Sequence, residues 1–209
     1  YVDPSVMPHH VEITTSTNSV SANATVTFTI RACADATCAS LYTTGMSGTL
    51  TVSGAGTTTY PGGQTFTIPA RSSSTTITAS MSAAGTATVA LSALSRTPST
   101  SPNVWCGMTG TATSGGACTL TVTIPLHHLE LLTNATSTVT CVPLTFTVKA
   151  CANAACSTAF TSGVSGTVSA SGTNVQGYSS GFTIASGSST TSWTGYMGIS
   201  GGGNSATAT

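Results

Sequence analysis

Close pairs of cysteines are the residues of this chain whose type and spacing best fit a defined chemistry. A Cys-x4-Cys element occurs twice, as Cys33 with Cys38 and as Cys151 with Cys156, and Cys106 and Cys118 form a third pair. Seven cysteines in a chain rich in Ser, Thr and Gly favour an oxidising compartment, so we expect three disulfides. Cys141 is left over, and we expect it to be unpaired or bonded to a partner outside this sequence.

The Cys-x4-Cys element also fits half of a zinc site. Structural zinc takes four Cys or His ligands, often with two closely spaced cysteines. A His-His-x-Glu element precedes each cysteine pair, as His9, His10 and Glu12 and again as His127, His128 and Glu130. Adjacent strand residues point to opposite faces, so only one histidine could join the cysteines, and no fourth ligand is evident. We therefore expect disulfides and assign no metal-binding residue.

The acidic residues do not form a catalytic pattern. The histidine and the glutamate of each His-x-Glu pair share a strand face, and we expect a surface His–carboxylate pair in each copy. The four acids are Asp3, Glu12, Asp35 and Glu130, and no two are placed by sequence as a glycosidase pair or a calcium cluster. We expect no enzyme, no catalytic residue and no cofactor.

Charge is scarce along the whole chain. Charged residues make up 4% of 209 and the net charge is zero, whereas a globular protein carries about 25%. This composition lacks the basic surface that nucleic acids require. No apolar run approaches the roughly 18 residues of a membrane-spanning helix, so we expect neither nucleic-acid binding nor membrane insertion.

The sequence repeats itself. A shift of 118 residues places Cys33 and Cys38 on Cys151 and Cys156, and a shift of 116 later places Phe66 on Phe182. A repeat of this length predicts tandem domains, at residues 1–125 and 126–209.

Alternation of apolar and hydroxyl residues, as in residues 24–30, predicts β-strands. Seven strands are expected in the first unit, near 10–16, 24–33, 48–53, 64–68, 74–81, 86–94 and 118–125, and residues 95–117 read as a loop. Seven short strands predict an immunoglobulin-like antiparallel β-sandwich. Its inward-facing residues should include Phe28 and Ile30, with Phe146 and Val148 in the second copy.

The second unit stops before the counterpart of its last strand. Its final residues, 206–209, match about 87–89 of the first unit, so a final strand is missing. We expect this incomplete sandwich to receive a strand from the continuation of the chain or from a neighbouring subunit, as in donor-strand polymers.

Three segments carry a family resemblance: residues 8–13, residues 31–38 and residues 62–69. They resemble the β-repeats of large bacterial surface proteins of the type of the Q component of mannose-sensitive haemagglutinin pilus biogenesis. The resemblance implies an exported, many-domain surface protein of a Gram-negative bacterium, linked to pili or adhesion. It also implies a cysteine where this chain has Asn23, and it brings no catalytic or ligand-binding residues.

These observations lead to an expected function and one alternative. We expect a structural or adhesive repeat of an extracellular surface fibre, with further repeats or other copies of the protein as partners. The alternative is a carbohydrate-binding module of a secreted protein, with surface glycans as partners. Sugar sites favour exposed aromatic rings, and Trp105, which lies in the predicted loop, is the candidate ligand contact, whereas Trp193 is predicted to belong to the core.

Overall fold

The computed structural model describes residues 7–134, 143–171, 178–196 and 205–208. Within these ranges every regular element is a β-strand. No helix in them is long and apolar enough to cross a bilayer. The chain divides into two compact units, Tyr1–Thr123 and Ile124–Thr209, each described below by itself.

Unit one forms ten strands in its described part. They are β1 (His10–Thr14), β2 (Ser19–Ser21), β3 (Val26–Cys33), β4 (Met46–Ser53), β5 (Thr58–Thr59), β6 (Thr65–Ile68), β7 (Ser74–Met81), β8 (Gly85–Ser92), β9 (Val104–Gly107) and β10 (Thr119–Thr123). One sheet has the order β5-β7-β3-β1-β9 and the other has the order β2-β10-β8-β4-β6. The strands β7-β3-β1 and β10-β8-β4 match the E-B-A and G-F-C orders of an immunoglobulin-like sandwich.

The core of unit one lies between these two sheets. Phe28 and Ile30 on β3 are fully buried, and they join Leu50 on β4 and Leu120 on β10 in a single apolar cluster. Burial alternates along β3, as a strand with one face on the core requires. The predicted inward orientation of Phe28 and Ile30 is confirmed.

Unit two forms six strands in its described part. They are β11 (His128–Thr133), β12 (Pro143–Cys151), β13 (Val164–Ser171), β14 (Tyr178–Ile184), β15 (Thr190–Tyr196) and β16 (Ser205–Ala208). They form two three-stranded sheets, β11-β12-β15 and β14-β13-β16. Phe146 and Val148 on β12 are buried as predicted, and Trp193 stacks on Phe146 with ring centroids 5.8 Å apart.

The strand registers of the two units are equivalent. Phe28 lies opposite Ile77 in unit one, and Phe146 lies opposite Trp193 in unit two. The predicted shifts of 118 and 116 residues relate these two pairs. Unit two is therefore the same immunoglobulin-like sandwich, and its described part lacks counterparts of β2, β5, β9 and β10.

The structure corrects two sequence expectations. Residues 95–117, predicted to be a loop, contain β9, which pairs in parallel with β1. The register of β16 also differs from the estimate: Ala206 lies opposite Ala170 as Val89 lies opposite Val52, so residues 206–208 correspond to 89–91. The short strands β2 and β5 were not predicted either.

Candidate functional site

The two His-x-Glu elements and the two Cys-x4-Cys elements meet in each unit through strand pairing. On β1, His10 lies opposite Cys33 and Glu12 lies opposite Arg31. In an antiparallel pair, residues two apart share a face, so these four residues form one patch. On β11 and β12 the register pairs His128 with Cys151 and Glu130 with Lys149. We call these two patches cluster 1 and cluster 2, with Cys38 and Cys156 included.

An Asx-type loop holds the second cysteine of each cluster. The Asp35 carboxylate accepts backbone N–H bonds from Thr37, Ala39 and Ser40 at 3.0, 3.0 and 2.6 Å. The pKa of Asp35 is lowered well below its ordinary range, first by a hydrogen bond with the Ser40 side chain and then by those with the Ser40 backbone, the Thr37 side chain and the Ala39 backbone. Cys38 adopts a positive φ of 54° at the end of this loop.

The loop of cluster 2 is built in the same way around Asn153. Its side-chain oxygen accepts N–H bonds from Ser157 at 3.0 Å and Thr158 at 3.4 Å. Cys156 has a φ of 49°, close to that of Cys38. A neutral amide therefore does in unit two what a carboxylate does in unit one.

Glu12 is the centre of cluster 1. Arg31 donates from Nε and Nη2 to Glu12 Oε2 at 3.0 and 2.7 Å. The other carboxylate oxygen, Oε1, lies 3.5 Å from His10 Nε2. A two-point guanidinium contact of this kind fixes the orientation of the carboxylate.

Trp105 covers cluster 1. Its ring stacks on His10, with centroids 3.7 Å apart and planes 20° from parallel, and its Nε1–H donates to Pro102 O at 3.0 Å. β9 positions it, because Trp105 lies opposite Glu12 in the β1–β9 ladder. Burial lowers the pKa of His10 below its ordinary value of 6.5, and Glu12 offsets only part of this effect.

Cluster 2 has the same polar residues but is more open. His128 Nε2 lies 3.6 Å from Glu130 Oε1, and Lys149 Nζ lies 3.9 Å from Glu130 Oε2. The side chains of His128 and Glu130 are 32% and 34% exposed, against 0% and 7% for His10 and Glu12. The expected surface His–carboxylate pair describes cluster 2. It is wrong for cluster 1, because β9 and Trp105 bury that pair.

All three predicted disulfides are formed in the structure. Cys33–Cys38 and Cys151–Cys156 each span 4.8 Å between Cα atoms, and Cys106–Cys118 spans 5.2 Å. The last bridge joins β9 in one sheet to the residue before β10 in the other, so it ties the two sheets of unit one together. Cys141 lies outside the described residues.

The structure also supplies the fourth metal-ligand type that the sequence left open. One ligand-type atom from each of His10, Glu12, Cys33 and Cys38 lies within 4.8 Å of the other three. The same holds for the equivalent residues of cluster 2. The sequence analysis did not place Glu12 and Glu130 beside the cysteines, and it missed Arg31 and Lys149 as their ion-pair partners. The signal was present, because the 118-residue shift that aligns the cysteines also aligns Arg31 with Lys149.

Comparisons with known proteins identify a family and include a distant structural likeness. A family profile described as "Domain of unknown function (DUF8613)" matches residues 9–99 and 126–196. No protein of curated function matches the chain in sequence. Among solved structures, the chain is similar to CBD12 from CALX1.2, whose crystal structure shares 9% identity over 89% of this chain and 74% of that chain, with a TM-score of 0.31.

Proposed function

The chain belongs to the family described as Domain of unknown function (DUF8613), and from that premise we propose that it is a structural repeat of an extracellular bacterial surface fibre or pilus-associated protein. Its role there is to carry pulling force along the polypeptide without unfolding. Its partners are further repeats or other copies of the same protein.

The observation that carries this proposal is the way the chain enters and leaves unit one. The entry strands β1 and β2 pair in parallel with β9 and β10, which precede the exit. Ala22 N–H extends this pairing to Thr123 O at 2.7 Å, and Thr121 N–H donates to Asn18 O at 2.8 Å. When the ends are pulled apart, parallel entry and exit strands slide along each other. Their hydrogen bonds must then break together, which requires more force than breaking them one by one.

Disulfides and composition support an extracellular place for this repeat. Three disulfides in a small β-rich chain are typical of an oxidising compartment. Serine and threonine, which supply over a third of the chain, provide the polar surface that charges usually provide. The resemblance to pilus-associated repeats agrees with this location.

The carbohydrate-binding alternative depends on Trp105, and its environment favours a structural role. One face of the ring is used for stacking on His10, and the indole N–H already donates to Pro102 O. An aromatic ring that stacks on a sugar needs a free face and polar groups around it. A glycan array probed with the chain and with Trp105→Ala tests this alternative directly.

Single-molecule pulling tests the structural proposal. The oxidised chain is held by its two ends and stretched, and the force and length of each unfolding step are recorded. Unit one should unfold at the higher force and release roughly 30 nm of chain, at about 3.5 Å per residue. A reducing agent should lengthen this step by about 5 nm, because the two disulfides of unit one enclose sequence separations of 5 and 12 residues.

Unit two is the built-in control, because all pairings among its described strands are antiparallel. Ala22→Pro, which removes the N–H that donates to Thr123 O, should lower the force of the unit-one step and leave the unit-two step unchanged. If unit one unfolds at the same force as unit two, or if Ala22→Pro has no effect, the mechanical role is wrong.

A further inference from the structure

Four different metal-ligand side chains converge in each unit, and the disulfides alone do not account for all of them. A disulfide needs only two cysteines, yet a histidine and a glutamate are held against each bridge. Two units of one chain with different sequences around the clusters retain the same four residue types at equivalent positions. This repetition is an independent indication that the four side chains of each cluster function together.

The ligand types and their surroundings fit Zn²⁺. Zinc takes four ligands in tetrahedral geometry from thiolate sulfur, imidazole nitrogen and carboxylate oxygen. His10 Nδ1 lies 3.0 Å from His9 Nδ1, and His127 and His128 make the same contact at 2.9 Å. In each cluster this leaves Nε2, the nitrogen that faces the glutamate, as the ligand atom.

The charges of each cluster also fit a zinc ion. Two thiolates and one carboxylate around Zn²⁺ leave a net charge of −1. Arg31 in cluster 1 and Lys149 in cluster 2 lie beside the carboxylate and can neutralise it. Arg31 holds Glu12 by Oε2 and leaves Oε1 directed at His10, which is how an outer partner orients a metal ligand.

We propose that each cluster is a latent zinc site, filled by His, Glu and two cysteines when its disulfide is reduced. Two small-molecule thiols reduce the bridge: they give two electrons, become a small disulfide, and their two protons pass to the cysteine sulfurs. Zn²⁺ then binds the two sulfurs as thiolates, and those two protons are released to water. Either the disulfide or the metal closes the same loop, so each unit keeps its fold in both redox states.

The two clusters should fill unequally. Cluster 2 is the more accessible, because His128 and Glu130 are about one-third exposed. Trp105 stacks on His10 in cluster 1 and covers it. Zinc should therefore enter cluster 2 before cluster 1.

Alkylation mapping tests the proposal on the full chain without any variant. The chain is reduced with a phosphine, which is oxidised to its phosphine oxide, and is then alkylated with and without Zn²⁺ before peptide mass spectrometry. Zinc should slow the alkylation of Cys151 and Cys156 first, then that of Cys33 and Cys38. Cys106 lies opposite Ile13 and faces the core with Cys118, away from the face of His10 and Glu12, so these two cysteines should be alkylated at the same rate in both samples. Equal protection of all three pairs, or protection of none, would overturn the proposal.

Cobalt binding separates a built site from simple binding by thiols. Co²⁺ added to the reduced chain should give a thiolate-to-cobalt charge-transfer band and the visible spectrum of tetrahedral cobalt, with about two ions bound per chain. His128→Ala and Glu130→Gln should each weaken binding at cluster 2 by about tenfold or more. Leu132→Ala, an exposed residue of the same strand that offers no ligand atom, should not weaken it. If His128→Ala binds cobalt as tightly as Leu132→Ala, the histidine is no ligand and the site is wrong. Circular dichroism of each reduced variant shows whether it is folded.

Discussion

At the scale of single residues, half of the formal charges of this chain lie in the two clusters. The chain has only eight formally charged residues, and four of them, Glu12, Arg31, Glu130 and Lys149, form the paired charges of clusters 1 and 2. The two glutamates differ in burial, because the side chain of Glu12 is 7% exposed and that of Glu130 is 34% exposed. Burial, and not residue type, should therefore decide how much each pair contributes to stability.

The first prediction compares Glu12→Gln with Glu130→Gln. Removing the buried charge of Glu12 leaves Arg31 without its two-point partner, and we expect unit one to lose about 1–3 kcal/mol, since Arg31 remains partly exposed. Glu130→Gln, which removes the more exposed ion pair, should lower the stability of unit two by less than about 1 kcal/mol. Urea unfolding measures both changes, with Trp105 fluorescence reporting unit one and Trp193 reporting unit two. Equal losses in the two units would contradict this account.

The second prediction concerns Asp35 in the oxidised, metal-free chain. The folded state lowers the pKa of Asp35 below its ordinary value of 3.8. The unfolded chain therefore takes up the proton first as the pH falls. The stabilisation is complete above about pH 5 and is lost as the pH falls through 3.8 toward the folded-state value.

Amide hydrogen exchange measures this effect at single residues. The Ser40 amide, which donates to the carboxylate, should become less protected in acid, whereas the Ser157 amide in the Asn153 loop should not. Asp35→Asn should remove the pH dependence of the first loop and keep its shape. An Asp35 carboxyl that titrates at its ordinary pKa by NMR would refute the prediction.

At the scale of elements, the strand β9 accounts for the different burial of the two clusters in the part of the chain that the structure describes. It adds to β1, places Trp105 over His10 and carries Cys106 of the bridge between the sheets. Gly107 at its end lies so close to the Thr111 carbonyl that a Cβ atom would overlap it. Thr15 N–H also donates to Gly107 O at 3.3 Å, so this backbone is held from two sides.

The third prediction is that Gly107→Ala disrupts β9. The added Cβ would overlap the Thr111 backbone and force β9 away from β1. We therefore expect unit one to lose about 2 kcal/mol of stability or more. Trp105 should move off His10, which a red shift of its fluorescence would show in a Trp193→Phe background. Gly62→Ala is the matched control, because a Cβ there meets nothing within 4 Å. A normal Trp105 spectrum in Gly107→Ala would mean that the strand accommodates the methyl group.

The sequence predicted the strands whose residues alternate and missed β2, β5 and β9, for a physical reason. Phe28 and Ile30 alternate with Thr over a full strand, and this period of two specifies both the strand and its inward face. The four residues of β6, Thr65–Ile68, still show this alternation, whereas the four residues of β9, Val104–Gly107, do not. Its strand conformation comes from pairing with β1, which is 90 residues away in sequence. The local sequence pattern does not predict such a distant contact.

The candidate site divides in the same way. Disulfides could be predicted because each pair is close in sequence and the compartment follows from composition. The burial of His10 and Glu12 could not, because the covering strand is distant. The contact of Glu12 with the cysteines needed the β1–β3 register, which places His10 opposite Cys33.

At the scale of the whole molecule, each unit closes its own hydrophobic core. One apolar cluster contains Phe28, Leu50 and Leu120, and a second contains Val148, Val168 and Phe182. Separate cores favour separate unfolding transitions. Unfolding of one unit by heat or urea should therefore leave the core of the other unit intact.

The fourth prediction tests that separation with the bridge between the sheets of unit one. Cys106→Ala with Cys118→Ala removes a cross-link over a sequence separation of 12, and we expect unit one to lose about 3 kcal/mol. Urea unfolding followed by Trp105 should shift to lower urea, and unfolding followed by Trp193 should not. Cys151→Ala with Cys156→Ala is the reciprocal control. The bridge that it removes spans a sequence separation of only 5, so its loss should cost unit two about 2 kcal/mol and leave the Trp105 transition in place. If either double variant moves both transitions together, the two units unfold as one. A fibre of these repeats would then unfold two units at a time and not one.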